Sequence, residues 1–339
     1  MKRILMPVTA SFLLLIVLIS GCTFPGGGQT GGGQGVIIEN FEPDFSKVYA
    51  GETFKLQMRI RNTGSVDAYN VYPKLYNVKS SDDRYEVSCD ETCGNGVNLL
   101  APDPERGTTG ESKTCIWNCK APQNIPKGLS VTFSPNVRLY YLYETHTIKS
   151  INFVSQDELR SVYTQGKPLP SETISTTNGP VTLDVVVNGP IRYWEGESKI
   201  RFPINVNIVN NGGGVTCMDK NIYSIYFPSS PLNPVPDVSI DVLLGGCENN
   251  NFWNSVNFYF KSDSNSVKMY INGEPQTTKI IDLWKGQSAT LTPEIEIPVP
   301  TDYSAGMVQK TLQFSLLYAY FNDASTSVEV VGRDNSAST

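Results

Sequence analysis

The chain has 339 residues, of which 18% are charged, and its formal net charge at pH 7 is −6. This mildly acidic balance argues against a nucleic-acid partner, because neutralising phosphates requires clustered lysine and arginine. A chain of this length exceeds what one hydrophobic core usually organises, so we expect two domains.

The N-terminal segment combines a positive start with a short apolar run. Two basic residues precede Phe12–Ile19, a run too short to span a bilayer comfortably. The pattern predicts a secretory signal peptide over residues 1–21, with an uncleaved anchor as the alternative. The phrase Ile19-Ser20-Gly21-Cys22 resembles the lipobox of prokaryotic lipoproteins, and the resemblance implies that Cys22 carries lipid. We therefore expect a lipid-anchored protein on the extracellular face of a cell membrane.

The segment 22–35 follows directly and is dominated by glycine. It has almost no side chain to bury, which predicts a flexible tether. A phosphate-binding glycine loop would need a preceding strand and a following Gly-Lys-Ser/Thr, and the sequence has neither.

The remainder of the chain shows apolar residues at every second position. The clearest runs are Phe54–Ile60, Val137–Tyr143, Val181–Val187 and Phe202–Ile208. Period-two alternation with frequent Gly, Pro and Asn between the runs predicts half-buried antiparallel strands of a β-sandwich. The one helical candidate is Ser155–Tyr163.

An internal repeat organises these strands. The matching phrases of the two halves are Ala50–Thr53 and Glu195–Ser198, Ile60–Gly64 and Ile208–Gly212, Gly110–Thr114 and Gly286–Thr290, and Val137–Glu144 and Phe314–Phe321. Four agreements in the same order indicate two copies of one module. We therefore predict an all-β protein with two tandem immunoglobulin-like antiparallel β-sandwiches. The predicted segments are a first sandwich (36–154), a connector (155–179), a second sandwich (180–332) and a polar tail (333–339).

The stretch Val48–Val71, followed by Glu111–Gly128, resembles CARDB-type and related immunoglobulin-like modules of archaeal and bacterial surface proteins. The resemblance covers much of residues 36–154 and, more faintly, 180–332. It implies a seven-stranded sandwich on an exported protein, often a spacer or adhesive module, with no catalytic residues to transfer. The high cysteine content departs from these modules.

The chain has seven cysteines, and six remain when Cys22 is assigned to lipid: Cys89, Cys93, Cys115, Cys119, Cys217 and Cys247. Outside the membrane the default fate of such cysteines is disulfide formation. We expect a bridge between Cys217 and Cys247, and two bridges among the first four. Three pairings of those four are possible, and we favour pairs between the 89/93 loop and the 115/119 strand. A four-thiolate zinc site has acceptable spacing but does not suit an oxidising compartment.

Paired tyrosines occur in the closing phrase of each half, namely Tyr141 with Tyr143 and Tyr318 with Tyr320. Their alternation predicts core packing, with each hydroxyl needing a hydrogen-bond partner. A ligand-stacking platform is the alternative.

Catalytic signatures are weak. His146 is the one histidine, and no Gly-x-Ser-x-Gly motif accompanies it, so we interpret it as a solvated residue. Carboxylates occur in pairs at Asp82–Asp83, Asp90–Glu91, Asp103/Glu105 and Glu294/Glu296. Asp82, Asp83, Asp90 and Glu91 are weak calcium candidates, and we expect neither a structural metal nor a cofactor.

The preferred hypothesis is therefore a non-enzymatic surface lipoprotein that acts as a binding, adhesion or structural module of the cell envelope, with a protein or glycan as its partner. The alternative is a lipid-anchored hydrolase that acts on surface polysaccharide through loop carboxylates. A solute receptor would need two α/β lobes, which the scarcity of helix argues against.

Two loops depart from the bare module, Ser80–Thr114 and Gly213–Asn254. Loops on a rigid sandwich often carry recognition. The second loop holds the candidate contact residues Tyr223, Tyr226, Phe227, Phe252 and Trp253. Aromatic residues in polar surroundings are typical of contact sites, although they could equally fill the core.

Overall fold

The structure is a computed structural model. It describes residues 35–81, 83–91, 96–166, 168–194, 196–217, 240–248, 251, 253–261, 267–299 and 306–333. These residues belong to one compact unit, Gly31–Thr339. The predicted signal peptide, Cys22, residues 22–34 of the tether and residues 334–339 of the tail lie outside them. No helix in the described ranges is long and apolar enough to cross a membrane.

The described chain is all-β with few helices, as the alternation predicts. The first half contains β1 (Val36–Pro43), β2 (Lys47–Tyr49), β3 (Thr53–Asn62), β4 (Ala68–Tyr76), β5 (Ser88–Glu91), β6 (Val97–Leu99), β7 (Ser112–Lys120), β8 (Ser130–Phe133) and β9 (Asn136–Ser155). Helix α1 (Gln156–Gln165) and β10 (Ile174–Thr176) follow.

The second half also consists mainly of β-strands. Its strands before the long loop are β11 (Val181–Val186), β12 (Ile191–Tyr193), β13 (Lys199–Pro203), β14 (Asn205–Asn210) and β15 (Val215–Cys217). Helix α2 (Ile240–Glu248) comes next. The remaining strands are β16 (Ser255–Lys261), β17 (Lys268–Ile271), β18 (Glu274–Gln276), β19 (Thr278–Asp282), β20 (Ser288–Leu291), β21 (Glu294–Pro298), β22 (Met307–Ser325) and β23 (Val328–Val331).

A nine-stranded central sheet joins the two halves. Its order is β19-β16-β22-β9-β4-β6, with β10 and β12 also on β9 and β15 on β22. Four smaller sheets surround it: β1-β3-β7-β5, β2-β23-β8, β11-β14-β20 and β13-β21-β17-β18. All these pairings are antiparallel except β12 with β9 and β2 with β23, which are parallel.

Strand β3 confirms the predicted alternation of buried and exposed side chains. Phe54, Leu56, Met58 and Ile60 are buried, while the residues between them face outward. Because successive side chains of a strand point to opposite faces, this pattern buries one face of the strand and exposes the other to solvent. The buried faces of the outer sheets and one face of the central sheet form the main core.

The predicted helix is confirmed as α1. The hydroxyl of Ser155 accepts a hydrogen bond from the backbone N–H of Glu158, which satisfies one of the unpaired donors of the first turn. Gly166 ends the helix in the left-handed conformation, with a φ of 64°. The predicted connector 155–179 is therefore structured, and its strand β10 pairs with β9.

The sequence repeat has a structural counterpart at the centre of the molecule. Strands β9 and β22 pair antiparallel along nearly their whole length, and Leu142 lies opposite Ala319. These two residues occupy the same position in the two closing phrases, so a local two-fold axis passes between them. Tyr143 consequently faces Tyr318, and Tyr141 faces Tyr320.

Equivalent asparagines make equivalent hydrogen bonds in the two halves. The side-chain amide of Asn62 donates to the carbonyl oxygen of Val66, and its oxygen accepts from the N–H of Gly64. Asn210 bonds Gly214 and Gly212 in the same way. Each asparagine thus closes the turn that follows its strand, which explains why Ile-x-Asn-x-Gly occurs twice.

The two halves also exchange strands. Strand β23 belongs to the C-terminal half of the sequence, yet it lies between β2 and β8 of the first half. Conversely, the end of β9 pairs with β12 of the second half, with Ile191 beside Phe153. The predicted ranges 36–154 and 180–332 therefore delimit the sequence repeat, while the sheets run across both.

Disulfides connect the expected cysteines. Cys89 is bonded to Cys119 across β5 and β7, and Cys217 is bonded to Cys247. Cys115 is also disulfide-bonded, whereas Cys93 lies outside the described residues. These findings confirm the favoured pairing for Cys89, and they remove the zinc alternative because a disulfide offers no thiolate.

The four tyrosines of the closing phrases form one buried cluster. The ring centroids of Tyr141 and Tyr320 lie 5.6 Å apart, and those of Tyr143 and Tyr318 lie 6.2 Å apart. The hydroxyl of Tyr143 donates to the carbonyl oxygen of Asn178 at 2.9 Å. All four rings are essentially unexposed, so the core interpretation holds and the stacking platform is wrong.

Candidate binding surface on the central sheet

The face of the central sheet opposite the buried tyrosines carries a second, smaller hydrophobic cluster. Its buried members are Tyr140, Leu142, Cys217, Leu243, Cys247, Ala319 and Phe321, and its half-buried members include Tyr69, Tyr72 and Trp253. We call this side the outer face. Leucines and cysteines of the long loop take part in the cluster, so the loop is fastened to the sheet at the two-fold axis.

The loop interrupts a strand that is continuous in the first half. Strand β4 pairs with β9 from Tyr69 to Tyr76. In the second half, β15 and β16 together occupy the equivalent place on β22. The chain therefore leaves the strand after Cys217 and rejoins it at Ser255. The Cys217–Cys247 disulfide fastens the excursion close to the point where it starts.

Trp253 closes this excursion. It lies opposite Cys217 in an isolated bridge, and its indole N–H donates to the carbonyl oxygen of Cys247 at 2.7 Å. Its ring packs edge-on against Phe321, with centroids 5.4 Å apart. Trp253 is half-buried, so it supports the loop and keeps part of its ring at the surface. The other predicted contact residues, Tyr223, Tyr226, Phe227 and Phe252, lie outside the described residues.

Arg138 is the central cation of the outer face. Its guanidinium makes two hydrogen bonds of 2.7 Å to the carboxylate of Asp323 and lies 4.1 Å from the ring centroid of Phe321. The hydrogen bond to Asp323 raises the pKa of Arg138 further above its usual value. Lys74 is paired with Glu248 of α2, and this bond raises the pKa of Lys74. The paired charges leave this part of the face nearly neutral.

Three half-buried tyrosines lie along β4, and one of them, Tyr76, is next to this arginine. Tyr69 and Tyr72 pack against the smaller cluster, and Arg138 lies 5.6 Å from the ring centroid of Tyr76. Burial raises the pKa of Tyr69 and that of Tyr76 above the usual tyrosine value, so both remain hydroxyl donors at neutral pH. We name the set Tyr69, Tyr72, Tyr76, Arg138 and Trp253 the tyrosine–tryptophan face. Aromatic rings with arginine are the composition of a contact surface.

Sequence reasoning found Trp253 but missed the other four members. The tyrosines of β4 alternate only imperfectly, since a bulge separates Tyr69 from Tyr72. Arg138 lies in the closing phrase, where the alternation predicts buried residues at Val137, Leu139, Tyr141 and Tyr143 and assigns no role to the residues between them. The available signal was the repeat: β4 pairs with that phrase, which places its tyrosines on the same sheet as Arg138.

His146 lies within β9 rather than at a strand end, and its side chain is only 27% exposed, so its interpretation as a solvated residue is wrong. Nδ1 of His146 lies 2.8 Å from Oγ of Ser315 and 3.3 Å from Oε1 of Glu144. Ser315 comes from β22, opposite His146 in the ladder. A catalytic triad requires the serine and the carboxylate on different ring nitrogens and a reachable hydroxyl. Here both approach the same nitrogen and Ser315 is fully buried, so the arrangement does not form a triad.

The predicted carboxylate pairs are dispersed. Asp83 and Asp90 are exposed, Asp82 lies outside the described residues, and the side chain of Glu91 is likewise not described. Among the described residues, no group of three or more histidine, cysteine, aspartate or glutamate side chains is placed to hold a metal.

The acids of β21 are occupied in ion pairs. Glu294 pairs with Arg201 at 2.6 Å, and Glu296 pairs with Lys199 at 2.8 Å. The hydrogen bond from Lys199 lowers the pKa of Glu296, which is the opposite of what a general acid requires.

Comparisons with known proteins give no family. No protein-family model and no curated protein matches the chain. A secreted serine protease, VesC from Vibrio cholerae, aligns at 6% identity over 89% of this chain and 52% of its own, with a TM-score of 0.19. The CupB6 tip adhesin from Pseudomonas aeruginosa aligns at 10% identity over 89% and 97%, with a TM-score of 0.17. This chain spans about half the length of the protease. Scores this low carry no argument about fold or function.

Proposed function

We propose that the protein is a non-enzymatic, lipid-anchored binding protein of the cell surface, and that the tyrosine–tryptophan face contacts a protein or glycan there. The observation that carries the proposal is this set of partly exposed rings on one face of the sheet, with Arg138 near Tyr76 and Trp253, beside a loop fastened by the Cys217–Cys247 disulfide. A loop ordered in advance loses less entropy when a partner binds.

The proposed architecture is a pair of immunoglobulin-like sandwiches of the CARDB type that share their central strands. Two strand orders support this proposal, β5-β7-β3-β1 in one sheet and β4-β9-β22 within the central sheet, because an immunoglobulin sandwich packs a four-stranded sheet against a three-stranded one. In this interpretation the last strand of each sandwich comes from the other repeat. The proposed host is a prokaryote, and the resembling modules favour an archaeon.

The proposed location has independent support. Disulfides persist in oxidising compartments, so the bonds Cys89–Cys119 and Cys217–Cys247 support the proposed location. Attachment through Cys22 follows from the lipobox resemblance.

Binding to intact cells tests the contact face. The combined substitution Tyr69→Ser with Tyr76→Ser should lower cell binding about tenfold, equivalent to about 1.4 kcal/mol, because it removes two partly exposed rings of the tyrosine–tryptophan face. The matched control is Tyr163→Ser on α1, whose ring is 76% exposed. Binding would be measured with a fluorescent label, and melting temperature in parallel. Unchanged binding by a folded double variant would rule out this face.

Detergent partition tests the anchor. Cys22→Ser should leave the protein in the aqueous phase or as an unprocessed precursor, because it removes the thiol that lipid would modify. The control is Ser20→Ala, which keeps the thiol and the small residue that the lipobox requires. If the Cys22→Ser variant partitions and migrates like the wild-type protein, lipid anchoring is contradicted. The proposal about the contact face would not be affected by that result.

A further inference from the structure

The sheet β11-β14-β20 presents a solvent-facing side rich in neutral polar residues. Its other side is buried by residues such as Leu183 and Val206. The ladder aligns the outward residues in rows across the three strands. The first row is Thr182, Val209 and Ser288, and the second is Asp184, Asn207 and Thr290. The third is formed by Val186 and Asn205 with Thr292, which follows β20.

Trp284 extends the first row. It pairs with Ser288 in an isolated antiparallel bridge, and its backbone N–H donates to the carbonyl oxygen of Ser288 at 2.7 Å. Residues directly opposite in an antiparallel pair direct their side chains to the same face. Trp284 therefore stands at the margin of this side of the sheet, with 74% of its surface exposed.

The polar side chains of these rows are held in place by one another. The hydroxyl of Thr290 donates to Oδ1 of Asn207 at 3.2 Å, and that of Thr292 donates to Oδ1 of Asn205 at 3.3 Å. Each asparagine oxygen thus accepts one hydrogen bond, which orients its amide so that the N–H groups and the second lone pair can bond a ligand. Neighbouring strands lie about 4.8 Å apart, which gives an ordered array of donors and acceptors.

The equivalent side of the first half is strongly charged. Its strand β3 directs Lys55, Arg59 and Arg61 outward. By the repeat, Arg59 and Arg61 correspond to Asn207 and Val209. The second half therefore has neutral residues where the first has cations. The charges left on this side are Asp184 and Lys285, whose ammonium lies 5.8 Å from the ring centroid of Trp284.

We propose that this side of the sheet, which we name the asparagine–threonine face, binds a neutral polysaccharide. A hydroxyl-rich ligand without charge matches an array of amides and hydroxyls, and an exposed indole provides an apolar surface for the C–H face of a sugar ring. An acidic glycan or nucleic acid would require a cluster of cations, whereas the described residues of this face include one lysine, Lys285, and one opposing carboxylate, Asp184. The proposal is independent of the tyrosine–tryptophan face, which lies on a different sheet.

The experiment is a pull-down of the full chain with microcrystalline cellulose, chitin and insoluble mannan, and with hyaluronate beads as a charged comparison. We expect binding to at least one neutral polysaccharide and none to hyaluronate. Binding should be unchanged between about 0.05 M and about 1 M NaCl, because screening affects only charges. Trp284→Ala should weaken binding at least tenfold, and Asn207→Arg, which places the first-half cation on this face, should do the same.

The matched control is Trp194→Ala, since Trp194 is 47% exposed and follows β12 on another sheet. The proposal is overturned if no neutral polysaccharide is bound, or if binding survives both Trp284→Ala and Asn207→Arg. Binding that weakens steeply with salt, or equal loss in Trp194→Ala, also overturns it. None of these outcomes changes the test of cell binding with the Tyr69 and Tyr76 substitutions. Failure of the polysaccharide proposal is therefore distinguishable from failure of the proposed function.

Discussion

Val330→Asp is expected to unfold the first half of the molecule, although Val330 lies near the end of the sequence. Val330 is fully buried on β23 and pairs with Val48 of β2 on one side and with Val131 of β8 on the other. A carboxylate at this position would be buried without a partner, which costs about 4 kcal/mol or more. Urea unfolding measures the loss, and hydrogen exchange locates it.

The control for this substitution is its neighbour on the same strand. Glu329 is partly exposed and pairs with Lys47 at 3.5 Å, so Glu329→Gln should cost less than about 1 kcal/mol. In Val330→Asp, we expect the amides of β2, β3 and β8 to lose protection first. Loss confined to the second half, or a cost no larger than that of Glu329→Gln, would show that β23 does not complete the first half.

Alkaline titration is expected to unfold the protein between about pH 10 and about pH 12. Burial raises the pKa of Tyr143 and that of Tyr320 to about 12, and it raises those of Tyr141 and Tyr318 as well. Because the folded state holds these protons more tightly, their stabilisation is fully present below the unfolded pKa near 10 and disappears as the pH rises through the folded pKa. A rise of about two units in the pKa corresponds to about 2.7 kcal/mol in the free energy of unfolding for one such tyrosine.

Tyrosinate absorbance and circular dichroism, recorded on one sample, test this prediction. The buried tyrosines should ionise together with the loss of sheet signal, because each must leave the core to ionise. The matched variant is Tyr143→Phe with Tyr320→Phe, which retains the rings and should move the transition to higher pH. Complete tyrosine ionisation with the sheet signal intact would show that the cluster is open to solvent.

At the binding surface, the sequence identified Trp253 as a candidate but did not decide its role. The sequence offered two roles for this ring, core packing and partner contact, and the structure finds it half-buried between the two. Arg138 and Asp323 could not be linked in advance, because they are far apart in sequence and meet only when β9 pairs with β22. The same pairing brings Ser315 to His146.

The sequence by itself determined the local features. Alternation in β3 specified which side chains are buried, since the two-residue period of a strand is a property of its backbone. The Ser155–Glu158 cap and the asparagines at 62 and 210 depend on residues only a few positions apart, so they too could be inferred. Which strands become neighbours was decided only by the tertiary structure. Insertion of β23 between β2 and β8 joins residues from opposite ends of the chain, and burying Val330 there depends on the shape of the whole core.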